Sequence, residues 1–134
     1  MILIGYSGHS YVINGILRSI GLKATGYCDN EEKKVNPFSL KYFQKETSPV
    51  GLKALTQEDF FIAIGNNEVR KKIYNNLAIR NLLPINAIHA TAVIDDNVDL
   101  SAHGIMISPN VTINAFAKIG NGAICNTYSN IDHE

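Results

Sequence analysis

Residue types that can do chemistry gather at a few places in this 134-residue chain. The turn Gly5-Tyr6-Ser7-Gly8-His9 follows an apolar run and precedes a helical pattern. A helix that starts there offers free N–H groups and the positive end of its dipole to an anion. The turn lacks the full G-x-G-x-x-G spacing, so it reads either as a phosphate cradle or as an ordinary strand-to-helix turn. Asp29 stands twenty-four residues after Gly5, where a nucleotide-binding sheet places an acid that contacts ribose or base. Its alternative is a solvated loop acid beside Glu31 and Glu32. For His9, capping of the helix start and ligand contact are both open. Arg70-Lys71-Lys72 reads as a solvated helix face rather than a phosphate clamp. His133 and Glu134, taken alone, read as a solvated tail. No spacing of His, Cys, Asp and Glu predicts a metal site.

Hydrophobic periodicity supplies the elements that position these residues. Met1 to Gly5 is a short apolar run ending in glycine, as in a buried parallel strand. Val12, Ile13, Ile16, Leu17 and Ile20 then mark an amphipathic helix that Gly21 can end. Leu22 to Cys28 reads as a second strand, which completes a βαβ unit. The stretch from Glu31 to Glu58 is charged, is broken by Pro37 and Pro49, and reads as irregular. Phe60 to Gly65 is the clearest strand of this half. Asn66-Asn67-Glu68 caps a helix with an acid in its first turn, and Val69, Ile73 and Leu77 form its stripe. Pro84 closes the unit. Each turn after a strand meets a helix N-terminus at the strand's carboxyl end, where ligands of open α/β sheets sit.

From residue 85 onward the period is six. Aliphatic residues recur at Ile88, Ile94, Leu100, Ile107, Ile113 and Ile119, with Cys125 and Ile131 continuing the series and one extra residue at Met106. The fifth position is small or valine throughout: Ala92, Val98, Gly104, Val111, Ala117, Ala123 and Ser129. Neither a helix nor a flat strand gives this period, whereas a hexapeptide β-solenoid does. The aliphatic residue fills the core of a three-sided coil, and the small one leaves room for the coil above. Cys125 takes a core position and reads as packing rather than nucleophile. His89 and His103 fall on solvent-facing positions and read as inert.

These residues resemble the bacterial nucleotide-sugar acetyltransferases that N-acetylate a UDP-linked 4-amino sugar in bacillosamine synthesis, relatives of sialic acid O-acetyltransferases. The resemblance is carried by the Gly5–His9 turn, by the stretch from Phe60 to Tyr74, and by the hexads ending Asn126-Thr-Tyr-Ser-Asn-Ile-Asp-His-Glu134. It implies a Rossmann-like α/β UDP-sugar domain over residues 1–84 and the start of a left-handed parallel β-helix over residues 85–134. It also implies a homotrimer, with acetyl-coenzyme A as donor at subunit interfaces. Residue by residue, Ser7, Gly8 and His9 match the turn that meets the nucleotide sugar. Asp29 and Asn30 fall where the family has a uridine-contacting acidic pair, Asn30 replacing the second acid. Gly65 matches the turn after the third strand, and Asn126 an asparagine beside the acceptor sugar. His133 matches the catalytic base and Glu134 its partner. A histidine with a reference pKa of about 6.5 can take the amine's proton, and a carboxylate can orient its ring. Set against the family, the chain is expected to be incomplete, ending before the coils that bind coenzyme A, and inactive by itself. Two alternatives stand beside this expectation: sialic acid O-acetylation, and a non-catalytic nucleotide-sugar-binding module.

Composition bounds the rest. Apolar residues are 46% of the chain, enough for a core and too many for a disordered segment. Two cysteines make no disulfide framework, so a reducing cytoplasm is the expected setting. No apolar run reaches the ~18 residues of a membrane helix. Twelve basic and twelve acidic residues cancel, which argues against a nucleic-acid partner. The zero hides a split: eleven Lys/Arg against seven Asp/Glu through Pro84, then one against five.

Overall fold

The computed structural model describes residues 1–133; Glu134 lies outside them. The chain begins with strand β1 (Ile2–Ile4), every residue of which is buried. Helix α1 (Gly8–Ser19) follows, then strands β2 (Gly26–Cys28) and β3 (Lys41–Tyr42), helix α2 (Pro49–Gln57), strand β4 (Phe60–Ile62) and helix α3 (Asn67–Ala78). All four strands are parallel, in the order β3-β2-β1-β4. That order matches strands 3-2-1-4 of a doubly wound nucleotide-binding sheet, with the direction of winding reversing between β1 and β4.

Burial alternates along the strands as a two-sided sheet requires. Leu3, Tyr27 and Phe61 face α1 through Ile13, Ile16 and Leu17. Ile2, Ile4, Phe60 and Ile62 face Ala54 and Leu55 of α2 and Leu77 of α3. Each fully buried aliphatic of α1 contributes roughly 1.5–3 kcal/mol. The helix opens on Ser7, whose N–H donates to Ser10 Oγ at 2.9 Å and whose carbonyl accepts from that hydroxyl at 2.6 Å. It ends as predicted at Gly21, with φ +77° and the Leu22 N–H returning to the Leu17 carbonyl at 2.9 Å.

Three sequence expectations change. The second strand is shorter than Leu22–Cys28, because the chain must first leave the Gly21 turn. The strand after it stops at Ile62 rather than running on to Gly65. The span from Glu31 to Glu58 is not irregular: it holds β3 and α2. Pro49 starts α2 rather than breaking it, since its missing N–H costs nothing in a first turn and Ser48 Oγ accepts from the Gly51 N–H at 3.0 Å.

Beyond Pro84 the Ile85 N–H donates to the Phe60 carbonyl at 3.0 Å, and the coil begins. Its strands are β5 (Ala87–Ile88), β6 (Val93–Ile94), β7 (Asp99–Leu100), β8 (Met106–Ile107), β9 (Thr112–Ile113), β10 (Lys118–Ile119), β11 (Ile124–Cys125) and β12 (Asn130–Ile131). They stack in parallel as β5-β8-β11, β6-β9-β12 and β7-β10, the three sides of a prism. Ile107, Val111, Ile113, Ala117, Ile119 and Cys125 are buried inside it, so hexad positions one and five build its core as predicted. The second residue of each strand points in and the first points out. On the β5-β8-β11 side the outward residues are Ala87, Met106 and Ile124, and they join the core of α1 and the sheet. The coil is therefore packed against α1, which lies between it and the sheet.

Candidate functional site

A cleft of about 550 Å³ opens at the carboxyl ends of β1, β2 and β4, where the winding reverses. Of the residues singled out in the sequence, Ser7, Asp29, Asn30 and Gly65 line it together. Gly5 supplies the turn out of β1, with φ +89° and no room for a side chain: a Cβ there would meet Ile64 Cγ1 at 2.7 Å. Asp29 ties two of the turns. Its Oδ2 accepts from the Tyr6 N–H at 3.0 Å, and its Oδ1 accepts from the Asn30 N–H at 2.7 Å and lies 3.2 Å from Lys33 Nζ. Gly8 opens α1 and lines, with Ser7 and Tyr11, an adjoining hollow of about 630 Å³. The first turns of α1 and α3 both begin at this edge of the sheet, and Lys33, Lys45 and Lys72 stand around the cleft against Asp29 and Glu46. Helix N-termini, cations and an acid beside an amide suit a ligand with a phosphate part and a hydrogen-bonding base.

His9 sits behind this edge. A Cβ built on Gly65 would lie 3.8 Å from its ring, so the imidazole covers the glycine's flank. Its Nε2 is buried with no hydrogen-bond partner. Burial, and then the charge of Arg70, lower its pKa from 6.5, so the ring is neutral near pH 7.

Arg70 overturns its sequence reading. It is 8% exposed, not a solvated residue. Its Nη1 donates to the Ile64 and Gly65 carbonyls at 2.9 and 3.0 Å, and its Nε and Nη2 donate to the Gly122 carbonyl at 3.1 and 3.0 Å. Nη2 also donates to Asn67 Oδ1 at 2.6 Å. The guanidinium thus joins the turn after β4 to a corner of the coil. Lys71 and Lys72 are exposed as predicted, about 100° apart around α3. Lys72 lines the cleft, while Lys71, with Arg70 and Tyr74, lines a second hollow of about 560 Å³ between α3 and the coil. No sequence signal marked Arg70, because its main partner is 52 residues away.

The coil residues stand apart from the cleft. Asn126 is exposed after β11, its carbonyl accepting from the Ser129 N–H at 3.0 Å. His133 is exposed after β12, on a different side of the prism. Glu134 lies outside the described residues. Among the described residues no three His, Cys, Asp or Glu are gathered to hold a metal ion, and no helix is long and apolar enough to cross a membrane.

Comparison with known proteins adds to this geometry. Residues 1–77 match the family described as the PglD N-terminal domain. GDP-perosamine N-acetyltransferase of Escherichia coli O157:H7 is 30% identical over 103 residues, which cover 76% of this chain and 44% of that protein. PerB from Caulobacter crescentus, in complex with CoA and GDP-perosamine, superposes with a TM-score of 0.84 at 30% identity, over 98% of this chain and 62% of that one. The acetyltransferase domain of PglB from Neisseria gonorrhoeae, in complex with acetyl coenzyme A, superposes with a TM-score of 0.81 at 20% identity, over 98% of this chain and 63% of that one. At that identity the likeness is one of fold. The chain spans under half of the curated relative and under two thirds of the solved structures.

Proposed function

The chain belongs to the PglD N-terminal domain family, and from that premise we propose that it is the nucleotide-sugar end of an amino-sugar acetyltransferase. The enzyme moves an acetyl group from acetyl-coenzyme A to the amino group of a nucleotide-linked 4-amino sugar. The observation that carries this reading is the cleft at the winding reversal, where Ser7, Asp29, Asn30 and Gly65 meet. Residues 1–84 form the nucleotide-sugar unit, and residues 85–134 begin a left-handed β-helix. Ser7 and Gly8 meet the nucleotide sugar at the start of α1, His9 supports the Gly65 turn from behind, and Gly65 lets the ligand approach the first turn of α3. Asp29 and Asn30 meet the base. An acceptor beside an amide that both donates and accepts fits the N3–H and carbonyl edge of uracil, which supports UDP as the nucleotide. A GDP sugar is the second reading, favoured by the perosamine relatives.

Asn126 and His133 follow β11 and β12, strands on different sides of the prism. This reading includes a homotrimer, with the sugar seated at a subunit interface beside Asn126 and His133. In the reaction the neutral amine attacks the thioester carbonyl, His133 accepts the amine proton, and the coenzyme A thiolate leaves. Glu134 orients the histidine. Incubating the whole acetyltransferase that carries this chain with acetyl-coenzyme A and UDP- or GDP-4-amino sugars, with thiol release as the readout, tests the reaction. His133→Ala is expected to lower turnover by ~10²–10⁴-fold. Wild-type turnover in that variant would remove His133 from the mechanism, and no turnover with any nucleotide amino sugar would remove the reaction.

A further inference from the structure

The segment that brings Asp29, Asn30 and Lys33 to the cleft contains no helix and no strand between β2 and β3. Three tyrosine hydroxyls hold it. Tyr6 Oη donates to Asn36 Oδ1 at 2.8 Å and accepts from the Phe38 N–H at 3.4 Å. Tyr27 Oη accepts from the Lys33 N–H at 2.9 Å. Tyr42 Oη donates to the Asp29 carbonyl at 3.2 Å. The rings that carry these hydroxyls support one another: Tyr6 stacks on Tyr27 at 4.3 Å, and Tyr27 meets Tyr42 at 5.3 Å. Tyr6 and Tyr27 are buried in the core of α1 and the sheet, so their hydroxyls are held from packed rings. Asn36 closes the arrangement, exchanging two hydrogen bonds with the backbone of Leu40 at 2.8 and 2.9 Å.

We propose that Tyr6, Tyr27 and Tyr42 are positioning residues that hold residues 29–36 in the ligand-binding conformation before any ligand arrives. The inference rests on the reading of the cleft as a nucleotide-sugar site. A segment without secondary structure that ordered only on binding would lose conformational entropy at that moment and weaken affinity. The hydroxyls move that loss into folding. A tyrosine's reach spans from the core to the loop backbone, and of the three only Tyr6 also lines the cleft.

Removing hydroxyls while keeping the rings separates positioning from packing. In Tyr27→Phe/Tyr42→Phe, two hydrogen bonds are lost, and nucleotide-sugar affinity is expected to fall ~10- to 30-fold. Amide hydrogen exchange in residues 29–36 of the free protein should quicken by at least as large a factor. Saturating UDP- or GDP-sugar should restore wild-type protection, which a merely structural loss would not do. Tyr42→Phe alone, at a half-buried ring, is the milder variant should the double one fold poorly. Equal exchange in wild type and variants would overturn the proposal, as would unchanged affinity. Absence of nucleotide-sugar binding by the wild type would instead overturn the reading of the cleft, and the exchange comparison would still decide whether the tyrosines hold the loop.

Discussion

Replacing Arg70 with methionine keeps most of the side-chain volume and removes the clasp between the β4–α3 turn and the coil. The carbonyls of Ile64, Gly65 and Gly122 lose their guanidinium partners, and Asn67 loses one. A hydrogen bond to a charged group is worth about 1.5–3 kcal/mol, and a buried carbonyl left bare costs about 1–3 kcal/mol. The sum is not the naive one. Gly65 is exposed, and Ile64 and Gly122 are half-buried, so water can replace the guanidinium in part at all three. Among the described residues no carboxylate pairs with the guanidinium, so releasing it from burial returns part of the loss. A net destabilisation of about 2–4 kcal/mol remains. Chemical denaturation read by circular dichroism measures it. Arg70→Lys should recover less than half, because one ammonium cannot reach the carbonyls on both sides of the helix turn. Lys71→Met, at the exposed neighbour, should change stability by under ~0.5 kcal/mol. If Arg70→Met proved as mild as Lys71→Met, the guanidinium would be the solvated group that its sequence context implied.

His9, held below its ordinary pKa of 6.5 by burial and by Arg70, binds its proton more readily in the unfolded chain than in the folded one. Its contribution is therefore present above pH 6.5 and lost as pH falls toward the folded value. Urea titrations at pH 7.5 and 5.5 should show His9→Gln with the smaller loss; an unchanged loss would exclude His9 as the cause. Burial and the nearby Glu46 and Asp29 carboxylates push the Cys28 thiol up to about 12, and burial raises that of Cys125. Neither should react with Ellman reagent at pH 8 until denaturant is added, whereas prompt modification of Cys125 would show that the coil core is open. Gly5→Ala meets both a positive φ and Ile64 Cγ1 at 2.7 Å, and should cost about 1–3 kcal/mol by thermal melting. A wild-type melting temperature would mean that the β1 turn is looser than described.

The coil was legible because its period is unlike that of any other element, and Ile107, Ile113 and Cys125 landed in its core. The packing of the coil was written in the same rows, one position earlier. The residues before the aliphatic positions are Ala87, Met106 and Ile124 on one side, and Asp99, Lys118, Thr112 and Asn130 on the others. Every third is apolar because α1 covers that side alone, with Val93 an exposed exception. In the α/β part the site was legible wherever glycine or a helix cap marks a strand end, as at Gly5 and Asn66. Helix α2 is hidden because a proline within a charged stretch reads as a breaker, whereas Ser48-Pro49 is a start signal. Arg70 and the tyrosine hydroxyls were hidden for a different reason. Their partners are set by tertiary packing, and a helix stripe or an aromatic count does not say which backbone groups will arrive opposite.

That the cleft at the winding reversal takes a nucleotide-activated amino sugar is tested most directly by isothermal titration calorimetry on the 134-residue chain. UDP- and GDP-4-amino sugars and NAD would be titrated in turn. Saturable one-to-one binding of a nucleotide sugar, weakened at least ~10-fold by Asp29→Ala and unchanged by His133→Ala, is the predicted result. Heat with NAD and none with either nucleotide sugar would contradict it.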